Sequence, residues 1–340
     1  MSHKVAFSFA DGKTLFFPVH GSADLRGAAL GRGINIPLDC REGVCATCMG
    51  RCESGDYSLD YVDEEALSAK DLQQRKVLTC QTRVKSDASF YFDFDSTLCS
   101  NAGPVHQHGV VTAVQQVSPT TAILHVDAGA NGQHLDFLPG QYARLQVPGT
   151  EATRSFSFAN RPNTANHLQF LIRLLPDGVM SNYIRERCRV GDEIRFEAPL
   201  GAFYMRHIEK PLILVAGGTG LSAFLGMLDE IAERGCGQPV HLYYGVRQTA
   251  DLCEASRIAG YSECIPGFTY TPVISDEGQA WDGKRGYVAE HFDVAKLRET
   301  PFDMYICGPP PMVESVKTWL QEQGLDHAHL YFEKFTESNT

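Results

Sequence analysis

Residues 39–50, DCREGVCATCMG, and residues 77–82, VLTCQT, together place four cysteines in the order C-x4-C-x2-C, 31 intervening residues, then C. That is the spacing of a plant-type 2Fe-2S site, with three thiolates from one loop and a fourth from a distant strand. Cys40, Cys45, Cys48 and Cys80 are therefore the predicted iron ligands. Gly43, Ala46 and Thr47 keep the loop small, so that backbone N–H groups can approach the sulfurs and share their negative charge. A structural zinc site also uses C-x2-C, but zinc ribbons pair two short knuckles and Cys80 has no close partner. Cys52 follows Cys48 by four positions, yet C-x2-C-x3-C is not the bacterial cluster run. Cys99, Cys188, Cys236, Cys253 and Cys264 have no ligand spacing and read as ordinary buried or partly buried thiols.

Outward from this loop, the first hundred residues read as short strands. VAFSFADGKTLFFPV (5–19) is two alternating runs joined at Asp11-Gly12, a hairpin signal. The turn-rich DSTLCSNAGPVHQHG (95–109) predicts a linker at 96–106. GVVTAVQQV, TAILHVDA, QYARLQV and HLQFLIRLL then follow at short spacing with Gly and Pro between them, as in an antiparallel barrel or sandwich. From residue 211 strand and helix alternate: LILVAGG then LSAFLGMLDEIAERG, VHLYYGV then ADLCEASRIA, MYICGPP then MVESVKTWLQEQG, and finally HLYFEKF. Alternation of that kind argues a parallel sheet covered on both faces.

The chain has 340 residues, more than one core usually fills, and 43% hydrophobic content, enough for each domain to bury its own. Net charge is -11, divided as -3 over 1–103, +1 over 104–206 and -9 over 207–340. An acidic balance disfavours a nucleic-acid partner, which needs a basic face. No run of 18 apolar residues and no export signal is present, so a soluble cytoplasmic protein with reduced thiols is expected and no membrane partner.

Two further segments carry chemistry. Arg154-Ser155-Phe156-Ser157 follows the strand QYARLQV, and IRLLPDGVMSNYIRER (172–187) opens a helix at Gly178 to Ser181, whose free N–H groups suit a pyrophosphate. Arg154 could neutralise the same phosphates, and a serine hydroxyl could reach a flavin ring nitrogen. Alone, RSFS is equally a plain strand with a surface arginine. Gly217-Gly218-Thr219-Gly220 joins an apolar strand to an amphipathic helix, the context pyrophosphate binding requires, although a tight turn without ligand reads the same way. Cys307-Gly308-Pro309 ends a later strand.

Taken in order, RSFS, IRLLPDGVMS, GDEIRFEAPLGAFY, AGGTG and CGPPPM resemble the ferredoxin-NAD(P) reductase family over residues 104–335. With a plant-type ferredoxin domain in front, the whole chain resembles the reductase components of aromatic-ring dioxygenases, those serving benzoate most of all. The resemblance implies a β-grasp-like α+β ferredoxin domain over 1–98, an FAD-binding antiparallel β-barrel over 104–206 and an NADH-binding α/β domain over 207–340. It implies that Arg154 meets phosphate, that Ser157 lies at flavin N5, and that Ser155, Phe156, Ile172, Arg173, Gly178, Val179, Met180 and Ser181 line the FAD. Phe156 stands where the family usually has Tyr, so the phenol's hydrogen bond is not carried over. For the nucleotide it implies Gly217 to Gly220, Arg247, Cys307 beside the nicotinamide, Gly308, Pro309 and Met312, with Phe335 covering the flavin face unless it is a core aromatic. A single Arg247 without a basic cluster favours NADH over NADPH.

The implied reaction passes hydride from NADH to FAD and single electrons to the cluster, because a flavin can accept a pair and release it one electron at a time. The implied partner is a terminal oxygenase. Two alternatives stay open on the sequence: a reductase of a di-iron monooxygenase, and a flavin oxidoreductase carrying a zinc-stabilised interaction module.

Overall fold

The computed structural model describes residues 2–21, 23–100, 104–129, 134–276, 278 and 280–335. Residues 101–103 of the predicted linker, Gly103 among them, and the tail Thr336 to Thr340 lie outside the described residues. By internal contacts the chain divides into two compact units, residues 1–105 with 200–202, and residues 106–199 with 203–340.

In the first unit β1 (Ser2–Phe9) and β2 (Thr14–His20) form the expected antiparallel hairpin. Helix α1 (Leu25–Leu30), capped by Asp24, and β3 (Met49–Ser54), β4 (Tyr57–Leu59), α2 (Ala69–Gln73), β5 (Lys76–Leu78), β6 (Thr82–Val84) and β7 (Ala88–Phe92) follow. The five-stranded sheet runs β2-β1-β7-β3-β5, with β7 parallel to β1 and antiparallel to β3. This mixed sheet with one crossing helix is the predicted β-grasp-like arrangement. Phe7, Phe9, Phe17, Phe90, Phe92 and Phe94 are buried and meet one another, Phe7 edge-on to Phe17 and Phe92 at 4.7 Å. The alternation of β1 and β7 sends every second residue to this face, Phe7 and Phe9 from one strand and Phe90 and Phe92 from the other.

The predicted linker at 96–106 is partly structured. Helix α3 (Thr97–Ser100) and the start of β8 (Val105–Ser118) both fall inside it. Tertiary hydrogen bonds, not local periodicity, hold the helix: Asp11 Oδ2 accepts from the Ser96 N–H and hydroxyl at 3.1 and 2.6 Å, and the Cys99 carbonyl accepts from the Asn35 N–H at 3.0 Å.

The second unit holds two sheets. β8, β9 (Thr121–Asp127), β10 (Tyr142–Gln146), β11 (Thr153–Ser157), β12 (His167–Arg173) and β13 (Glu193–Leu200) run in the order β11-β10-β13-β8-β9-β12. An antiparallel bridge between Phe158 and Phe170 joins the two ends, closing the predicted barrel. After α4 (Val179–Asn182) the chain makes a π-helical turn, Tyr183–Arg187.

β14 (Leu212–Gly217), β15 (Val240–Val246), β16 (Phe268–Ile274), β17 (Lys284–Arg285), β18 (Phe302–Gly308) and β19 (Ala328–Lys334) form an all-parallel sheet ordered β17-β16-β15-β14-β18-β19. Successive residues of β14 face opposite layers. Leu214 and Ala216 pack with α5 (Leu221–Arg234) and α6 (Ala255–Cys264), and Val215 with α7 (Val294–Glu299) and α8 (Pro310–Glu322). Both tryptophans are here: Trp281 lies against the first layer, and Trp319 packs on the second, edge-on to Phe292 at 4.9 Å. The strand order reverses between β14 and β18, and the crevice outside their carboxyl ends is where open α/β sheets take ligands. Among the described residues no helix is long and apolar enough to cross a membrane.

Candidate functional site

The four predicted cluster ligands come together as two pairs. Cys48 Sγ and Cys80 Sγ stand 3.5 Å apart, and Cys45 Sγ accepts the Cys40 N–H at 3.5 Å. Among the described residues no three His, Cys, Asp or Glu side chains are arranged to hold one ion, and two pairs of thiols match two irons. The loop achieves this with left-handed backbone at Arg41, Gly43 and Ala46. Gly43 is required twice over: its φ is 84°, and a Cβ there would run into the Tyr61 carbonyl. Gln81 Nε2 ties the loop to the fourth ligand's strand, donating to the Arg41 carbonyl at 3.1 Å and to Cys80 Sγ at 3.7 Å.

Each pair favours one thiolate. Cys40 is held well below the ordinary thiol range by its hydrogen bond with Cys45 and by the N–H groups of Glu42, Val44 and Gly43. Cys80 is lowered by Cys48 and then Gln81, whereas Cys45 and Cys48 are pushed up by those same hydrogen bonds and by burial. A negative charge is thus already welcome at this loop, as a thiolate-bound cluster needs. Cys52 takes no part: 2% exposed, its sulfur accepts from Arg75 Nη2 at 3.1 Å. Cys99, Cys188 and Cys253 are buried and Cys236 half-buried, but Cys264 is exposed.

In the barrel, β11 pairs with β10 in register, Tyr142 opposite Ser157 and Ala143 opposite Phe156. Ser157 is 2% exposed and its Oγ has no hydrogen-bond partner. A buried hydroxyl left alone costs roughly 1–3 kcal/mol, so its position fits a group that arrives with a polar atom. Phe156 packs on the barrel core, while Ser155 is exposed and Arg154 Nη1 donates to the Thr153 carbonyl at 2.8 Å. Ile172 and Met180 point into the core, so only their backbone can meet a cofactor, whereas Val179 is half-buried against it. Ser181 Oγ is engaged within the turn, donating to the Arg173 carbonyl at 3.3 Å and accepting from the Leu175 N–H at 3.0 Å. Gly178 caps α4, and a Cβ there would press on Ser181 Oγ at 2.8 Å. We expect Ser157→Ala to fold normally, since it deletes a hydroxyl without a partner, and to slow flavin reduction by NADH about tenfold, the worth of one hydrogen bond; stopped-flow flavin bleaching measures it.

The two glycine segments meet at the switch point. β14 and β18 pair with Ala216 opposite Cys307. A Cβ on Gly217 would come within 2.8 Å of Pro309 Cδ and 2.7 Å of Met312 Sδ, and one on Gly308 within 2.7 Å of Met312 Cε. Gly220 lies against the Cys307 carbonyl, and Gly218 turns with φ 54°. Thr219 sits half-buried in the 3-10 turn Gly218–Gly220 that precedes α5. Cys307 itself is fully buried, and burial drives its thiol far above the usual range. The Phe335 N–H donates to the Gly308 carbonyl at 2.8 Å, placing its backbone beside the same motif, and its half-buried ring packs against the core cluster that holds α5. Arg247 is exposed just past β15, and its carbonyl accepts the Asp276 N–H at 2.9 Å.

Three family models match this chain: a 2Fe-2S iron-sulfur cluster binding domain over 8–85, an oxidoreductase FAD-binding domain over 108–204 and an oxidoreductase NAD-binding domain over 214–318. The anthranilate 1,2-dioxygenase electron transfer component of Acinetobacter baylyi is 60% identical over 100% of this chain and 99% of its own. That of the toluate 1,2-dioxygenase of Pseudomonas putida is 42% identical over 99% and 100%. The chain belongs to the family of aromatic-ring dioxygenase electron transfer components. Among solved structures, a cytochrome P450 reductase of Amycolatopsis superposes with a TM-score of 0.69 at 28% identity, covering 98% of this chain and 99% of that one.

As a member of this family the chain is a ferredoxin-reductase-type oxidoreductase with FAD, NAD and 2Fe-2S modules, and the zinc-module reading falls away. Sequence reasoning missed Ser222 and Arg257, both of which bridge the barrel and the parallel sheet. Ser222 Oγ donates to the Ser157 carbonyl at 2.7 Å and Arg257 Nη2 to the Ala159 carbonyl at 2.9 Å. No local motif marks either residue.

Proposed function

We propose that this chain takes electrons from NADH and delivers them singly to the terminal oxygenase of an aromatic-carboxylate dioxygenase, with anthranilate the first substrate to test for that partner and benzoate the second. The observation that carries the reading is one chain holding two thiol pairs, a buried unpartnered Ser157 hydroxyl and two interlocked glycine turns at a sheet switch point. The 60% identity to the anthranilate component supports testing anthranilate ahead of benzoate, the sequence expectation.

Bound FAD supplies the change from two-electron to one-electron transfer. The chain's own residues position the rest. Arg154, Ser155 and the turn Gly178–Ser181, with the backbone at Ile172 and Arg173, are assigned to FAD, and Ser157 offers its free hydroxyl at the ring. Gly217, Gly218, Thr219 and Gly220 are assigned to a pyrophosphate at the turn that opens α5, where Gly218 faces open space, while Pro309 and Met312 pack against Gly217 and Gly308. Asp276 stands close to Arg247 and keeps its carboxyl ionised through the Gly278 N–H and Gln248, so a second phosphate on the ribose meets a negative charge. That favours NADH. Cys40, Cys45, Cys48 and Cys80 are assigned to the cluster; a plant-type cluster, typically at about -400 mV, would pass electrons downhill to a higher-potential acceptor.

The test is turnover with purified oxygenase components: NADH-dependent hydroxylation with the anthranilate oxygenase supports the reading, and reduction of a di-iron hydroxylase in its place overturns it. Phe335→Ala removes the aromatic ring of the residue whose N–H bonds the Gly308 carbonyl. The expected result is a loss of about tenfold, near 1.4 kcal/mol, in the preference for NADH over NADPH, read as the ratio of kcat/KM values. An unchanged ratio makes Phe335 a packing residue.

A further inference from the structure

One face of α5 is laid along residues 157–161, the segment that leaves β11. Ser222, 1% exposed, donates its hydroxyl to the Ser157 carbonyl at 2.7 Å. One turn further, the Gly226 backbone lies so close that an added Cβ would stand 3.3 Å from the Phe158 carbonyl and 2.9 Å from that of Asn160. Asp229 then holds Arg257 and the Tyr261 hydroxyl, each at 2.6 Å, and Arg257 reaches the Ala159 carbonyl. Glu233 ends the row against Arg161 at 3.2 Å. Positions 222, 226, 229 and 233 form a single helical stripe, which meets the carbonyls of Ser157, Phe158 and Asn160 directly and that of Ala159 through Arg257.

The stripe begins two residues after Gly220 and ends its first contact on Ser157. We propose that Ser222 is a positioning residue for hydride transfer: its hydrogen bond fixes the glycine turn that receives the nucleotide relative to the strand that presents the Ser157 hydroxyl. The inference rests on the reading that Ser157 faces the flavin and Gly217–Gly220 the nucleotide. The other three ties of the stripe do not involve Ser157, so losing the Ser222 hydroxyl leaves the helix docked but frees the register at the end nearest the reaction. Donor and acceptor rings must approach to near-attack distance, and small misplacement is costly.

The experiment uses the full-length holoprotein, with stopped-flow flavin reduction across NADH concentrations separating the limiting rate from the NADH Kd. Ser222→Ala is expected to lower the limiting rate about tenfold or more and to raise the isotope effect with 4-deuterated NADH, with Kd within about twofold, because alignment and not affinity is lost. Ser222→Cys, similar in volume with a weaker donor, should fall between, and it carries the test where the alanine variant does not retain flavin. Arg161→Ala breaks the tie at the far end and should leave the limiting rate unchanged. A parental rate in Ser222→Ala overturns the proposal. So does a loss shared equally by Arg161→Ala and matched by the melting temperature, which makes Ser222 one docking contact among several. A parallel Ser157→Ala measurement separates the two levels: if it too keeps the parental rate the flavin assignment has failed, whereas slow reduction there with a parental rate in Ser222→Ala removes only the positioning role.

Discussion

Cys48→Ser is expected to yield a protein without its iron-sulfur absorption bands that still binds FAD and still reduces ferricyanide with NADH, while electron delivery to the oxygenase falls to background. Cys48 is 1% exposed and stands 3.5 Å from Cys80, so a serine puts a poor, reluctantly ionised ligand where a thiolate is needed and leaves one iron short. The residues assigned to FAD and NADH all lie in the other compact unit. Metal-thiolate assembly can contribute on the order of 10 kcal/mol to a small module, so the first unit should also melt at a much lower temperature. Iron and sulfide analysis with visible spectra decides it, and retention of the cluster bands removes Cys48 from the ligand set.

Gly220→Ala should be nearly as damaging to the opposite end of the electron path. Its φ is ordinary, so the cost is purely of space: the new methyl group would meet the Cys307 carbonyl and lie 3.0 Å from the Gly308 nitrogen. Both are backbone atoms of a fully buried strand and cannot swing aside. Overpacking of this kind costs about 1–3 kcal/mol of stability. A shift near 1 Å between the two glycine turns should slow flavin reduction by NADH about 100-fold. Dithionite, which needs no nucleotide crevice, should reduce the flavin as before. Equal slowing with both reductants points instead to a collapsed flavin site.

The cluster loop and the glycine turns could be read from the sequence because their chemistry is local. C-x4-C-x2-C is one loop's worth of geometry, and a glycine turn between an apolar strand and a helix announces its own context. The alternating runs likewise foretold β1, β2 and most barrel strands, but β16 and β17 went unread, since FTYTPVI carries a proline and Lys284–Arg285 is only two residues long. The segment 96–106 reads as linker because its helix depends on Asp11 and Asn35, remote in sequence. Arg257 was invisible for the same reason: its acceptor at Ala159 is 98 residues away. Nor does any pattern say that the Ser157 hydroxyl has no partner while the Ser181 hydroxyl, in an equally serine-marked turn, is already used. That distinction belongs to tertiary packing.

The placement of the aromatic residues divides what optical measurements can see. The six-phenylalanine core of the first unit contains no indole, and the chain's only two tryptophans, Trp281 and Trp319, flank the parallel sheet. Tryptophan emission therefore has no reporter inside the cluster-bearing module. Bleaching of the iron-sulfur chromophore supplies one, so a heating ramp followed at both wavelengths reads each unit through its own chromophore in one cuvette.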